Sequence, residues 1–292
     1  VDLVIDHFGQ RLGGTLMSSA QREELRLALA GIERKGGRVT FYRPPQWIQR
    51  RVGGGQHVKI QVSDAGCLVL TSGNLTRTSF TRWKEYAVAF EGALVPEVLA
   101  DYGFCNPNLH QDWRGPWGWR EPNPLTDRLV AFVEGAREEL LISSFYYKPE
   151  PQLAEAVRKA ARRGVRVEIH HSHREALPAT DLPWIAAVGY AELLAAGARV
   201  VEHPAGEHSK IVVVDGSRAA FGSYNFEEPA HDRLAEAMLF SADPRTVGPA
   251  LAVFEELRSD PTRVEITPGV MAAWPARTRR RMRMFGRFRW WL

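Results

Sequence analysis

The sequence predicts an α/β protein of two pseudo-symmetric lobes with mixed β-sheets, and three observations carry that prediction. The polar residues of the stretch from Gln56 to Glu85 recur 151 residues later in unbroken register. Apolar runs of strand length alternate with longer helical patterns, the order that builds α/β layers. Between the two halves, residues 103–124 shift to Gly, Pro, Asn and Trp and read as a linker.

In order along the chain, Val1 to Asp6 is a short apolar strand. A Gly-rich loop to Thr15 leads to a helix from about Ser19 to Arg34, with apolar Leu25, Leu27, Leu29 and Ile32, stopped by Gly36-Gly37. Val39 to Tyr42 is a strand and Pro44 to Gln56 a loop. Val58 to Val62 and Leu68 to Ser72 form a strand pair turned at Asp64-Ala65-Gly66. Glu85 to Phe90 is a further strand and Val95 to Asp101 a short helix. The second half runs helix Leu125 to Glu138, strand Leu140 to Tyr146, helix Pro151 to Arg163 and strand Val165 to His170. Helix Pro183 to Ala196, strands Ala198 to Glu202, Ser209 to Val214, Ala219 to Ser223 and Glu236 to Phe240, and a helix from about Thr246 to Arg258 complete it. The expected divisions are a first lobe over 1–102, the linker over 103–124, a second lobe over 125–262 and a tail over 263–292.

Matching element to element pairs the strand at Val1 with the strand at Val165, an offset of 164 rather than 151. The first half has no counterpart of residues 125–164, a helix, a strand and a helix. This predicts a first lobe truncated on its N-terminal side, the natural or ancestral chain having roughly 40 more residues upstream.

At 292 residues, 45% hydrophobic and 25% charged, the chain has the composition of a globular protein with a sizeable core, which excludes disorder. Cys67 and Cys105 give no disulfide framework. The pI of 9.2 suggests a polyanion partner. Seven arginines, however, fall between Arg277 and Arg289, and without them the remaining chain carries a net −3. The basicity therefore belongs to the tail, and no nucleic-acid groove is expected in the body. No stretch is long and apolar enough for a transmembrane helix.

The repeated residues are His57, Lys59, Asp64, Ser72, Asn74 and Glu85, then His208, Lys210, Asp215, Ser223, Asn225 and Glu236. In a strand opening with His-x-Lys both side chains share a face, so they meet one anion. Ser72, Asn74, Ser223 and Asn225 add neutral donors for the same phosphate. Two such arrays around one pocket suit a phosphodiester, whose transition state is stabilised mainly electrostatically. One histidine attacks phosphorus while the other protonates the leaving oxygen, and the acid then acts as base. Glu85 and Glu236 are expected to accept a histidine Nδ1 proton. Asp64 and Asp215 complete the motif set, and at strand ends beside turns they also read as ion-pairing or capping residues. No metal or other cofactor is expected, since the lysines supply the positive charge.

His-x-Lys-x4-Asp followed by Ser-x-Asn, in two copies, resembles the phospholipase D superfamily. Leu3-Val4-Ile5-Asp6-His7-Phe8-Gly9, Glu85-Tyr86-Ala87-Val88, Ile142-Ser143-Ser144-Phe145-Tyr146-Tyr147 and Ala160-Ala161-Arg162-Arg163-Gly164-Val165 are similar to segments of bacterial cardiolipin synthases. The resemblance implies two α/β/α lobes with the active site between them. It implies a phosphatidyltransferase that works through a phosphohistidine, with His57 as nucleophile, His208 as general acid/base and a phospholipid substrate. Where the family has glycine before the first Ser, this chain has Thr71, while the second copy keeps Gly222. The alternatives are a phospholipase D hydrolase, a superfamily nuclease and a non-enzymatic membrane scaffold.

Outside the motif, His170-His171-Ser172-His173 offers His-x-His metal spacing, against which stands packing at a strand end. Trp113, Trp117 and Trp119 are expected between the lobes, and the loop Trp47 to Arg51 at the pocket mouth. The tail mixes its arginines with Met282, Met284, Phe285, Phe288, Trp290 and Trp291. That mixture suits an anionic membrane surface, at ~1 kcal/mol per basic residue, and together with the resemblance it implies a peripheral place on the bacterial cytoplasmic membrane.

Overall fold

The computed structural model describes residues 1–6, 18–43, 55–74, 76–91, 123–176, 189–232 and 234–285. The first half contains β1 (Asp2–Asp6), α1 (Ser19–Arg34), β2 (Arg38–Tyr42), β3 (Gly55–Gln56), β4 (Ile60–Ser63), β5 (Cys67–Thr71), α2 (Arg77–Thr81) and β6 (Ala87–Glu91). The second opens with α3 (Pro124–Glu134), β7 (Glu139–Ser144), β8 (Tyr147–Lys148), α4 (Pro151–Arg162), β9 (Arg166–Ser172), α5 (Tyr190–Ala195) and β10 (Arg199–His203). It continues with β11 (Ile211–Val214), β12 (Arg218–Gly222), β13 (Phe226–Glu227), α6 (Glu228–Asp232), β14 (Leu234–Ala235) and β15 (Met238–Ser241). The chain closes with α7 (Pro244–Ser259), β16 (Val264–Glu265), α8 (Pro268–Ala273) and α9 (Ala276–Phe285).

Local chemistry sets the element ends. Ser18 begins α1 through a capping box, its hydroxyl accepting from Gln21 N at 3.2 Å while Gln21 Oε1 accepts from Ser18 N at 2.8 Å. Pro151 opens α4, the Glu150 carboxylate accepts from the N–H groups of Gln152 and Leu153, and Leu153, Ala156, Val157 and Ala160 form its buried stripe. Helix α3 stops at Glu134 rather than at the expected 138. Gly135 caps it, and the next N–H groups turn away to Asp215.

Seven strands form the main sheet in the order β15-β12-β11-β7-β9-β10-β16, with β7, β9 and β10 parallel and the others antiparallel to their neighbours. Every residue of β11 is buried, as its unbroken Ile-Val-Val-Val run requires of a strand covered on both faces. Val212 and Val214 join the core with Leu129 and Val157 of α3 and α4, while Ile211 and Val213 pack with Phe254 and Leu257 of α7. Leu68 and Leu70 of the first half belong to that second cluster and are fully buried. Each contributes roughly 1.5–3 kcal/mol, against about 0–1 kcal/mol for an exposed ion pair. Apolar packing therefore joins the halves, and charges at the junction mainly orient.

In the second half, β7 stands between β11 and β9. Among the described residues the first half shows no counterpart of β7, and its strands fall into β4-β5-β6, the parallel pair β1-β2, and β3, which pairs with β14. Helix α1 has no buried residue, and Val4 and Val62 are 58% and 54% exposed.

Asp64 and Asp215, grouped with the catalytic residues of the motif and read as strand-end ion-pairing or capping residues, both stand in turns. Asp215 follows Lys210 by five positions, roughly 16 Å along an extended chain. At a φ of 51° it accepts from the N–H groups of Arg137, Glu138 and Glu139 at 2.8 to 3.1 Å. Partial burial opposes its ionisation, yet the three donors outweigh it and hold the carboxyl below its usual range. Asp64 lies exposed in the turn between β4 and β5. His7, the loop Trp47 to Arg51, the helix expected over Val95 to Asp101, the linker tryptophans and residues 177–188 lie outside the described residues.

Asp215→Ala is expected to cost roughly 1–3 kcal/mol in urea unfolding, because three N–H donors lose a charged acceptor. Asp64→Ala should stay within about 0.5 kcal/mol. The Asp215 contribution is present above the ordinary carboxylate pKa and is lost as pH falls through the depressed folded value. Equal effects of the two substitutions would contradict this placement.

Candidate active site

The two copies of the motif meet along two short backbone bridges related by the same 151-residue offset. Gln56 pairs with Ala235, and Glu207 pairs with Lys84, both in parallel. His57 N donates to Ala235 O and His208 N to Lys84 O, each at 3.0 Å. These bonds explain why β4 and β11 begin after the His-x-Lys residues instead of with them: each histidine N–H is committed to the opposite lobe.

The result is a crossed pairing. His57 Nδ1 donates to Glu236 at 2.8 Å and His208 Nδ1 donates to Glu85 at 2.9 Å, so each ring is held by the glutamate of the other copy. With the proton on Nδ1, the free nitrogen of each imidazole is Nε2. Ser72 and Ser223, expected on the substrate phosphate, are instead fully buried behind the glutamates. Ser72 Oγ donates to Glu85 Oε2 at 2.7 Å and Ser223 Oγ to Glu236 Oε2 at 2.5 Å, and each accepts at 3.0 Å from the N–H that follows the glutamate. Two Ser-Glu-His relays therefore face one another.

Lys59 Nζ donates to His57 O at 2.7 Å and Lys210 Nζ to His208 O at 2.5 Å. Burial pushes Lys59 down to about 8, opposed by Glu236 and Glu85. Burial and then the charge of Lys59 push Lys210 down to about 7. Burial lowers His57, against the pull of Glu236, and lowers His208 further with help from Lys210 and Lys59. Burial raises Glu85, against the hydrogen bond from Ser72. These mutual perturbations mark a single site. Asn225 Nδ2 donates to Glu227 at 2.9 Å, leaving its buried Oδ1 without a protein partner, and Asn74 is half-buried with its N–H on Ser79 Oγ.

Two residues that the motif did not reveal enclose one histidine. Trp83 stacks on His208 with centroids 4.7 Å apart, and Phe145 meets the same ring edge-on at 4.5 Å. The His57 side chain is 22% exposed and that of His208 only 3%. A signal for Trp83 existed: it adjoins Glu85 at a position where the second copy has Leu234. The turn before each serine differs too. A Cβ on Gly222 would overlap Ala237 O, whereas Thr71 Oγ1 donates to Tyr86 O and accepts from Gly73 N.

The histidines of residues 170–173 divide between the faces of β9. His170 bonds to His203 and Glu168, while His171 meets Ser172 O and Tyr190. Among the described residues no group of three or more His, Cys, Asp or Glu is placed to hold a metal ion.

Residues 129–258 match a protein family described as "Cardiolipin synthase, PLD-like domain". Cardiolipin synthase A of Pectobacterium carotovorum is 33% identical over 100 residues, which is 34% of this chain and 20% of that protein. The match thus spans about a fifth of the length of the curated relative. The phosphatidylserine synthase structure from Haemophilus influenzae aligns with 82% of this chain and 70% of its own at a TM-score of 0.58 and 14% identity. Polyphosphate kinase from Porphyromonas gingivalis aligns with 91% of this chain and 42% of its own, with a TM-score of 0.56 and 14% identity. These two likenesses establish the fold.

Glu236→Gln keeps an oxygen opposite His57 Nδ1 but removes its charge. Because Glu236 is what opposes burial at that ring, His57 should titrate lower still, by on the order of one pH unit. Histidine NMR titration measures it, and a value that stays or rises would refute the relay.

Proposed function

We propose that this chain, a member of the phospholipase D superfamily, is a phosphatidyltransferase that forms cardiolipin and glycerol from two molecules of phosphatidylglycerol. The observation that carries the reading is the crossed pair of histidine–glutamate relays around the buried Lys210 and the half-buried Lys59. His57 Nε2 attacks phosphorus, and His208 gives a proton to the departing glycerol oxygen. His208 then takes the proton of a second phosphatidylglycerol hydroxyl, whose oxygen displaces the histidine and regenerates the enzyme. Lys59 and Lys210 stabilise the charge on the phosphoryl oxygens, and Asn74 and Asn225 are assigned to the same phosphate. The greater exposure of His57 supports its role as the attacking group. The lysine charges depress the proton affinity of His208, and an anionic phosphodiester seated between them offsets that effect, so His208 gains its proton as substrate binds.

The membrane contact falls to the tail. Helix α9 carries Arg277, Arg279 and Arg280 on exposed positions, and no acidic residue follows Glu265. No helix among the described residues is long and apolar enough to cross a membrane. A peripheral place on an anionic bilayer fits both observations.

Incubation with phosphatidylglycerol should yield cardiolipin and glycerol, and His57→Ala should reduce turnover on the order of 10³-fold. Phosphatidic acid as sole product would make the chain a hydrolase, and a phosphorylated peptide carrying His208 would reverse the two histidine roles. The protonated lysines are the active forms, so kcat/KM should fall as pH rises through the values of Lys210, about 7, and Lys59, about 8. A chain ending at Ala276 should lose sedimentation with anionic vesicles, and undiminished sedimentation would remove the tail from the membrane contact.

A further inference from the structure

We propose that three consecutive residues of the first lobe, Trp83, Lys84 and Glu85, form a clamp that orients His208 and not His57, which makes Trp83 and Lys84 positioning residues for one half of the duplicated site. The clamp gives the transfer reaction above its proton carrier, and to that extent it rests on that reading.

The other copy is the internal control. Ala235 and Glu236 hold His57 as Lys84 and Glu85 hold His208, by the same backbone bond and the same carboxylate contact, and Leu234 takes the place of Trp83 in the second triplet. The first two residues of each triplet differ. Leu234 has no ring to stack and Ala235 has no side chain to anchor.

Trp83 covers one face of the His208 imidazole at an interplanar angle of 22° and contacts Phe145 at 4.7 Å. Its Nε1–H donates to Ala176 O at 3.2 Å, across the lobe boundary. The second lobe is shaped to receive it: Gly206 takes a φ of 97°, and a Cβ there would overlap the indole.

Lys84 is held at both ends. Its N–H donates to Gly206 O at 2.8 Å, and its ammonium donates to Asp260 Oδ2 at 3.1 Å, with Glu256 at 3.9 Å. Asp260 lies just past α7 and also accepts from Thr262 N and Oγ1. Burial opposes its charge, but these hydrogen bonds, with those of His203 and Lys84, keep it ionised. His203 Nδ1 approaches the same oxygen at 3.2 Å, and beyond it runs a chain: His203 Nε2 to His170 Nδ1 at 2.9 Å, then His170 Nε2 to Glu168 at 2.6 Å. Three contacts need three N–H protons, and two neutral imidazoles supply two. Arg258 and Arg199 also face Glu168, and Arg258 faces Glu139. Burial holds His170 below its ordinary value and His203 at about 4. At neutral pH one link of that chain lacks its proton, whereas the Lys84 ammonium reaches Asp260 directly.

The clamp predicts which substitutions turn one half-site into the other. Trp83→Leu with Lys84→Ala writes the second triplet into the first. In the full chain, without lipid, nitrogen-15 NMR titration should show His208 rising on the order of one pH unit, about tenfold in its protonation equilibrium, as its ring becomes wetted. His57 should not move. Lys84→Ala alone, at a side chain 21% exposed, should shift His208 in the same direction, and Lys84→Arg should restore it. An unmoved His208, or His57 and His208 moving together, overturns the clamp. Because no substrate is present, this result stands apart from the transfer assay: an inactive wild-type chain with the expected titrations would sink the functional reading and leave the clamp intact.

Discussion

Neither motif histidine is oriented by its own repeat. The backbone bonds from His57 to Ala235 and from His208 to Lys84 bring the following residue, Glu236 or Glu85, alongside the ring of the opposite copy. A single lobe would hold a histidine with no carboxylate and a glutamate with no histidine. The burial of Leu68 and Leu70 against Ile211, Val213 and Phe254 is therefore a precondition of the chemistry as well as of stability. The duplicated serines follow the same logic, because each donates to the glutamate that holds the opposite ring, on an oxygen that the ring also approaches.

Assembling the site places two lysines, two glutamates and two histidines in one desolvated space. Burial acts against every charge there, and Lys210 and Lys59 end close enough to neutral pH that their protonation depends on each other and on the glutamates. Removing the ammonium groups from water costs several kcal/mol, which an anion of matching shape offsets on binding. The desolvated site is thus electrostatically unfavourable in a way that the proposed phosphodiester substrate would relieve, and the two lysines would concentrate that preference where charge grows in the transition state.

Much of this was legible in the residues. The unbroken Ile211 to Val214 run, the stripe of Leu153, Ala156, Val157 and Ala160, and the Ser18–Gln21 box each state their structure locally. The register of the duplication gave the chemical groups. It did not give the crossing, because offset arithmetic says which residues correspond and not which ones touch. Nor did it give the serine orientation, which depends on acceptors more than ten residues away at Glu85 and Glu236, or which N–H groups, just past α3, the capping residue Asp215 would serve. Asp64 shows the same point in reverse. It carries the same motif residue but sits exposed in its turn.

The duplicated polar residues conceal two unlike frames. At Gly222 the chain runs so close to Ala237 that only hydrogen fits, whereas Thr71 bridges Tyr86 O and Gly73 N with its own hydroxyl. One copy closes its turn by close backbone approach and the other by a side chain. Around His208 the frame adds an indole, a phenyl ring and an anchored lysine, and around His57 it leaves a partly open ring. The two-step displacement proposed for this site needs this difference. One imidazole must be accessible to form a bond to phosphorus, while the other must keep a single orientation through two proton transfers. Identical relays set in unequal surroundings meet both requirements, whereas perfect symmetry would leave the two roles undivided.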